Sequence, residues 1–203
     1  MNKLFHPERE RAGPANRNIY KADAIYLFQM IEKYSRYRIL REFFDSPGKD
    51  FHMREISRNT KIAQPSVMNH LMALVKEELI LKEKKGIYPT YRANRENELF
   101  KIYKKTDLIL RMHKIGLISY IYDSSISNAI ILFGSSSKGE DMEESDIDIF
   151  VQSAEIKLKL EKYEKLLNRK ISLFFEENFS RLNGELKNNI INGIIIKGYL
   201  KAF

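Results

Sequence analysis

Apolar residues along this chain change their spacing several times, and each change predicts an element. Over residues 37–44, Ile39, Leu40, Phe43 and Phe44 fall on one side of a helix, and Asp45-Ser46-Pro47-Gly48 ends it. Residues 51–58 predict a brief strand leading into a second helix, with a turn over residues 60–63. A third helix opens at Gln64, with Pro65 at the first helical position, where its missing N–H costs nothing. Val67, Leu71, Leu74 and Val75 bury one side of it, which leaves Gln64, Ser66, Asn69, His70 and Ala73 toward solvent or a groove. Residues 79–84 and 88–93 then alternate as two strands joined at Lys85-Gly86-Ile87. Upstream, residues 1–20 read as an irregular arm. Asp23 followed by Ile25, Phe28, Met30 and Ile31 predicts a short helix after it.

The second half begins with a broad apolar helical face, from Leu99 and Phe100 through Met112 and Ile115. It predicts one long helix or two in series over residues 96–121, with Gly116 a break. Residues 129–133 form a short Ile-rich run that stops at Gly134, as a buried strand would. A second strand is expected over residues 145–151, a charged helix over 155–167 and a third strand over 170–175. A helix over 179–189 and a last strand over 193–199 complete the chain.

The stretch between the first two of these strands carries chemistry. Gly134, Ser135, Ser136, Ser137 and Gly139 are small residues whose N–H and hydroxyl groups can approach a phosphate, and Lys138 adds a positive charge. In Ser145-Asp146-Ile147-Asp148, side chains two apart share a face, so Asp146 and Asp148 point together while Ile147 and Ile149 point into the core. Two adjacent carboxylates repel each other, and a divalent ion such as Mg²⁺ resolves the conflict. Gly134-Ser135, Gly139 and Ser145-Asp146-Ile147-Asp148 together resemble the signature of the minimal nucleotidyltransferases of the DNA polymerase β superfamily, over roughly residues 117–203. The resemblance implies a nucleoside triphosphate at Gly134, Ser135, Ser136, Lys138 and Ser145. It also implies Mg²⁺ or Mn²⁺ on Asp146 and Asp148, the catalytic pair. The family's third strand carries a third aspartate. Here Ser172 stands at the aligned position, and no aspartate follows Asp148. Glu176 shares its face but lies about 13 Å farther along a strand.

Charge separates the two halves. Residues 36–95 hold 13 basic against 7 acidic residues, whereas residues 96–203 hold 16 of each, so the net charge of +8 sits in the N-terminal part and points to a polyanion partner there. The order helix, strand, helix, helix, hairpin resembles a winged helix-turn-helix of the bacterial and archaeal regulator type, over roughly residues 36–95. That resemblance implies a third helix lying in the major groove of double-stranded DNA. Gln64, Ser66, Asn69 and His70 would then face base edges, and Lys82, Lys84, Lys85 and Arg92 would contact phosphate. The absence of cysteine excludes disulfides, thiol catalysis and Cys-type zinc sites. No apolar run approaches the roughly 18 residues a membrane span needs, so no membrane partner and a cytoplasmic location are expected.

The expected fold is α+β. It comprises an arm and helix (residues 1–35), a winged helix-turn-helix DNA-binding domain (36–95), a helical linker suited to homodimerisation (96–121) and a small nucleotidyltransferase-like α/β sheet domain (122–203). The function expected is a DNA-binding transcriptional regulator whose C-terminal domain binds nucleotide and divalent metal. The alternative is an active transferase of nucleoside monophosphate to a protein or small-molecule hydroxyl, antitoxin-like.

Overall fold

The computed structural model describes residue 30, residues 32–84 and residues 86–202. The arm, most of the expected first helix and Lys85 lie outside the described residues. The N-terminal body contains α1 (Ser35–Asp45), β1 (Phe51–His52), α2 (Met53–Thr60), α3 (Gln64–Lys76), β2 (Ile80–Glu83) and β3 (Thr90–Ala93). Its strands form an antiparallel sheet in the order β1-β3-β2, with Phe51 opposite Tyr91 and Lys82 opposite Tyr91 on the other side. Ile39, Phe43, Ile56, Val67, Leu71 and Leu74 close the core beneath it. The strands are shorter than their alternation suggests, because residue 84 and residues 86–89 lie outside both of them.

The apolar stretch of residues 96–121 divides into α4 (Glu98–Lys114) and α5 (Leu117–Ser125). Asn97 caps α4 by accepting a hydrogen bond from the Phe100 N–H at 3.0 Å. Gly116 breaks the path by adopting φ +80°, a conformation that costs glycine little. Helix α4 belongs to both halves of the molecule. Phe100 enters the N-terminal core, with its ring 5.3 Å from that of Phe44, whereas Leu108 and Met112 enter the C-terminal core.

The C-terminal sheet comprises β4 (Ala129–Leu132), β5 (Ile147–Val151), β6 (Ile171–Phe175) and β7 (Ile194–Gly198), in the order β6-β5-β4-β7. Strands β5 and β6 are parallel, and β4 runs antiparallel to both β5 and β7. Alternation along β5 divides two cores. Ile147, Ile149 and Val151, fully buried, pack with α5 and with Leu167 of α7 (Glu161–Leu167), each contributing about 1.5–3 kcal/mol. On the other face Phe150 packs with Phe133, Phe179 and Ile190, the last from α8 (Gly184–Ile191).

Three local readings change. The helix expected over residues 155–167 starts only at Glu161. Before it Ile156, Leu158 and Leu160 are half-buried while their charged neighbours are exposed, the period-two pattern of an extended ribbon. The helix expected over residues 179–189 becomes a 3₁₀ turn (Phe179–Arg181) followed by α8, whose cap Asn183 accepts from the Leu186 N–H at 2.8 Å. The second strand begins at Ile147, so Asp146 precedes it. No helix among the described residues is long and apolar enough to cross a membrane.

Candidate functional site

The glycine- and serine-rich segment after β4 is a single helical turn, α6 (Gly134–Lys138), rather than an open loop. Gly134 has φ +68°, and a Cβ there would lie 2.6 Å from Asp148 Oδ2, so only glycine lets this backbone rest against that carboxylate. Gly139 ends the turn at φ +76°, where a Cβ would stand 2.3 Å from the Lys101 carbonyl of α4. Ser137 donates to the Gly134 carbonyl at 2.8 Å, tying the turn to itself.

Asp146 is exposed and Asp148 half-buried, at the edge where β5 starts. Burial, and then the Asp146 charge, push the Asp148 carboxyl above its ordinary value, with Arg169 opposing the shift. Ser172 pairs with Asp148 in the β5–β6 register, and its hydroxyl donates to Asp146 Oδ2 at 2.9 Å. The position beside the two aspartates is therefore filled by a neutral donor. Glu176 is turned elsewhere, accepting from the Asn178 N–H at 2.9 Å. Among the described residues no group of three or more metal-ligating side chains comes together. The two carboxylates, in mutual repulsion, suit one divalent cation that completes its shell with phosphate oxygens.

Arg169, just before β6, was not singled out by sequence reasoning, although it holds the site together. Its guanidinium donates to the Ser145 carbonyl at 2.8 Å, to the Asp146 carbonyl at 3.1 Å and to Ser136 Oγ at 3.1 Å, and it pairs with Asp141 at 2.5 Å. Asp141 is buried and also pairs with Lys104 of α4 at 3.2 Å. Burial pulls the Lys104 amine below its usual value despite Asp141. In the sequence Asp141 is one acid among Glu140, Glu143 and Glu144, and nothing in the letters separates it from them.

Two of the expected phosphate ligands also make contacts within the scaffold. Ser136 is fully buried against Arg169, and the Ser145 hydroxyl accepts from the Met142 N–H at 2.9 Å. Ser135 remains half-exposed and Lys138 exposed, beside Gly134.

In the N-terminal body, Gln64 and Asn69 are exposed on α3 and Ser66 is half-exposed. His70 lies on a different flank from Gln64, lining a cavity of about 640 Å³ with Tyr37, Leu74 and Tyr103. Gln64 instead lines a groove of about 270 Å³ with Arg54, Met68 and Tyr88 beside the hairpin. Lys82, Lys84 and Arg92 are exposed on or beside the hairpin strands, Arg92 paired with Glu83 at 2.7 Å.

Residues 116–200 match the family described as polymerase beta, nucleotidyltransferase, so the C-terminal part of the chain carries a nucleotidyltransferase-like domain. No curated protein and no solved structure matches the chain.

Proposed function

We propose that the chain is a DNA-binding regulator whose nucleotidyltransferase-like domain binds a nucleoside triphosphate with one divalent cation and does not transfer the nucleotide. The observation that carries this reading is the hydrogen bond from Ser172 to Asp146, a neutral side chain where a third carboxylate would complete the charge. Asp146 and Asp148 would hold the cation, Mg²⁺ or Mn²⁺. When bound, it neutralises charge on the triphosphate. The Gly134 and Ser135 N–H groups and the Lys138 amine would meet the phosphates from the other side. With a neutral hydroxyl where a third carboxylate would stand, the face has less negative charge with which to hold a second ion and activate an attacking hydroxyl, which favours a ligand held over one consumed.

The DNA part of the reading rests on the basic N-terminal segment and on the order of its elements, which suit a winged helix-turn-helix. Asn69, at the outward centre of α3, with Gln64 and Ser66 at its start, would face base edges. His70 is the least suited of the four because of the flank it occupies. Lys82, Lys84 and Arg92 would meet phosphates, with Lys85 beside them in sequence. Leu99, Ile102 and Tyr103, large and exposed on α4, offer a face that a second copy would cover, giving the two recognition helices a palindromic site calls for.

The test of the nucleotide part is equilibrium titration of the full chain with MgATP. Saturable binding that requires the metal and disappears in Asp146→Ala is expected. A wild-type chain that binds no triphosphate refutes it.

A further inference from the structure

One large aromatic side chain on the site's face, Phe174, is left exposed among the described residues. Along β6, Leu173 and Phe175 pack into the core on one side of the sheet, while Ser172 and Phe174 lie on the other, with Asp148. Phe174 stands one pleat beyond Ser172, roughly 7 Å along the strand, a span that a sugar unit bridges. Phe174 remains 42% exposed. Its neighbour in the register, Phe150, is fully buried beneath Phe179, ring centroids 6.2 Å apart. The closed part of this face therefore takes in Phe150, while Phe174, level with it on the outer strand and one pleat from the Ser172–Asp148 pair, is left open.

The ring is also held in place. Phe133, almost fully buried, meets it edge-on at 5.5 Å and 70°, and Phe133 immediately precedes Gly134. The same short segment thus supplies the turn against Asp148 and the ring that steadies Phe174. Among the described strands β6 is the outermost of the sheet, and beyond Ile171, whose N–H donates to Glu164 at 3.1 Å, its outer edge brings backbone donors and acceptors beside the ring. An exposed, oriented aromatic face with polar backbone at its margin is the kind of surface on which a nucleobase stacks.

We propose that Phe174 is the platform for the base of the nucleoside triphosphate, so that binding is shared between a phosphate end at Gly134, Asp146 and Asp148 and a base end at Phe174. This rests on the nucleotide reading above and extends it to the half of the ligand that the motif residues do not touch. Because every base has a π-face, the platform accepts purines and pyrimidines alike. It favours the larger purine surface.

The chain contains no tryptophan, so Phe174→Trp places a single indole reporter at the site. Titrations of the full chain with MgATP, MgCTP and magnesium tripolyphosphate separate the two ends of the ligand. In Phe174→Trp both nucleotides should change the indole emission, and tripolyphosphate should leave it nearly unchanged. In Phe174→Ala affinity for MgATP should fall roughly tenfold, the usual size of a lost stacking contact, with tripolyphosphate affinity unaltered. Equal loss for both ligands, or unchanged MgATP affinity in Phe174→Ala, overturns the platform while leaving phosphate binding standing. If the wild-type chain binds neither MgATP nor tripolyphosphate, the nucleotide reading fails and the platform with it.

Discussion

The Ser172 hydroxyl lies on the outer strand beside the aspartate pair. It donates to Asp146 without adding charge, so the cluster carries two negative groups, and Asp148 is already pushed toward its neutral form by burial and by Asp146. Restoring a carboxylate has a definite sign. Ser172→Asp should lower the apo-protein melting temperature at neutral pH, by about 3 °C if the added repulsion is near 1 kcal/mol. It should also enlarge the stabilisation given by Mn²⁺ beyond that of the wild type. Differential scanning fluorimetry with and without Mn²⁺ measures both. A variant that melts as the wild type does under both conditions would show that residue 172 does not face the metal ligands. The aspartate pair and Ser172 were legible in the sequence because strand alternation and motif spacing fix which side chains share a face. The scaffold hydrogen bonds of Ser136 and Ser145 were not, because a serine in a glycine- and serine-rich loop gives no sign in its letter of which backbone or guanidinium it meets.

At the scale of elements, the site depends on contacts between segments far apart in the chain. Arg169 links β6 to α6, to the Ser145–Asp146 backbone and to Asp141, while Lys104 extends the connection to α4. The Gly48 N–H of the N-terminal body donates to Glu143 in the same acidic loop at 3.1 Å. Removing the guanidinium leaves the buried Asp141 with Lys104 as its cationic partner. Arg169→Met should therefore cost about 3 kcal/mol, measured by urea unfolding. Loss of metal-dependent nucleotide affinity should accompany it, since the loop before Asp146 loses its anchor. Undiminished stability would mean that the network contributes no net energy. None of this was readable beforehand, because long-range ion pairs leave no periodic trace. The division of residues 96–121 at Gly116 was readable, as were the order of the N-terminal elements and the strand positions. The charged stretch before Glu161 was misread because its high charge resembled a solvated helix, although its apolar residues alternate.

For the whole molecule, α4 joins the two halves through a buried network of its own. Asp107, buried on α4, accepts from the Tyr37 hydroxyl of α1 and lies 3.8 Å from Arg41 and 3.6 Å from Arg111, which also pairs with Asp45 at 2.6 Å. Burial drives the Asp107 carboxyl above its usual value, and desolvation first, then Asp107, drives the Tyr37 hydroxyl up. Because this network and the Lys104–Asp141 pair both act through α4, the basic N-terminal surface and the aspartate site sit on one scaffold. If that surface meets DNA, its affinity must fall as salt rises. Replacing Lys82 and Lys84 by alanine should then reduce the slope of log K against log salt by about 2, one unit for each lost phosphate contact. Fluorescence anisotropy on duplex DNA over a salt series checks this, and salt-independent or absent binding by the wild-type chain would rule out the DNA reading.

Holding the nucleotide without transferring it is the behaviour proposed for the site. It is tested most directly by incubating the full chain with nucleoside triphosphate labelled at the α-phosphate, Mg²⁺ or Mn²⁺ and cell extract, then comparing native with denatured samples. Label should be retained on the native wild-type chain, released intact on denaturation and absent from Asp146→Ala. Label that survives denaturation on the chain or on another acceptor in the wild-type sample, and is missing with Asp146→Ala, would contradict it and establish an active transferase.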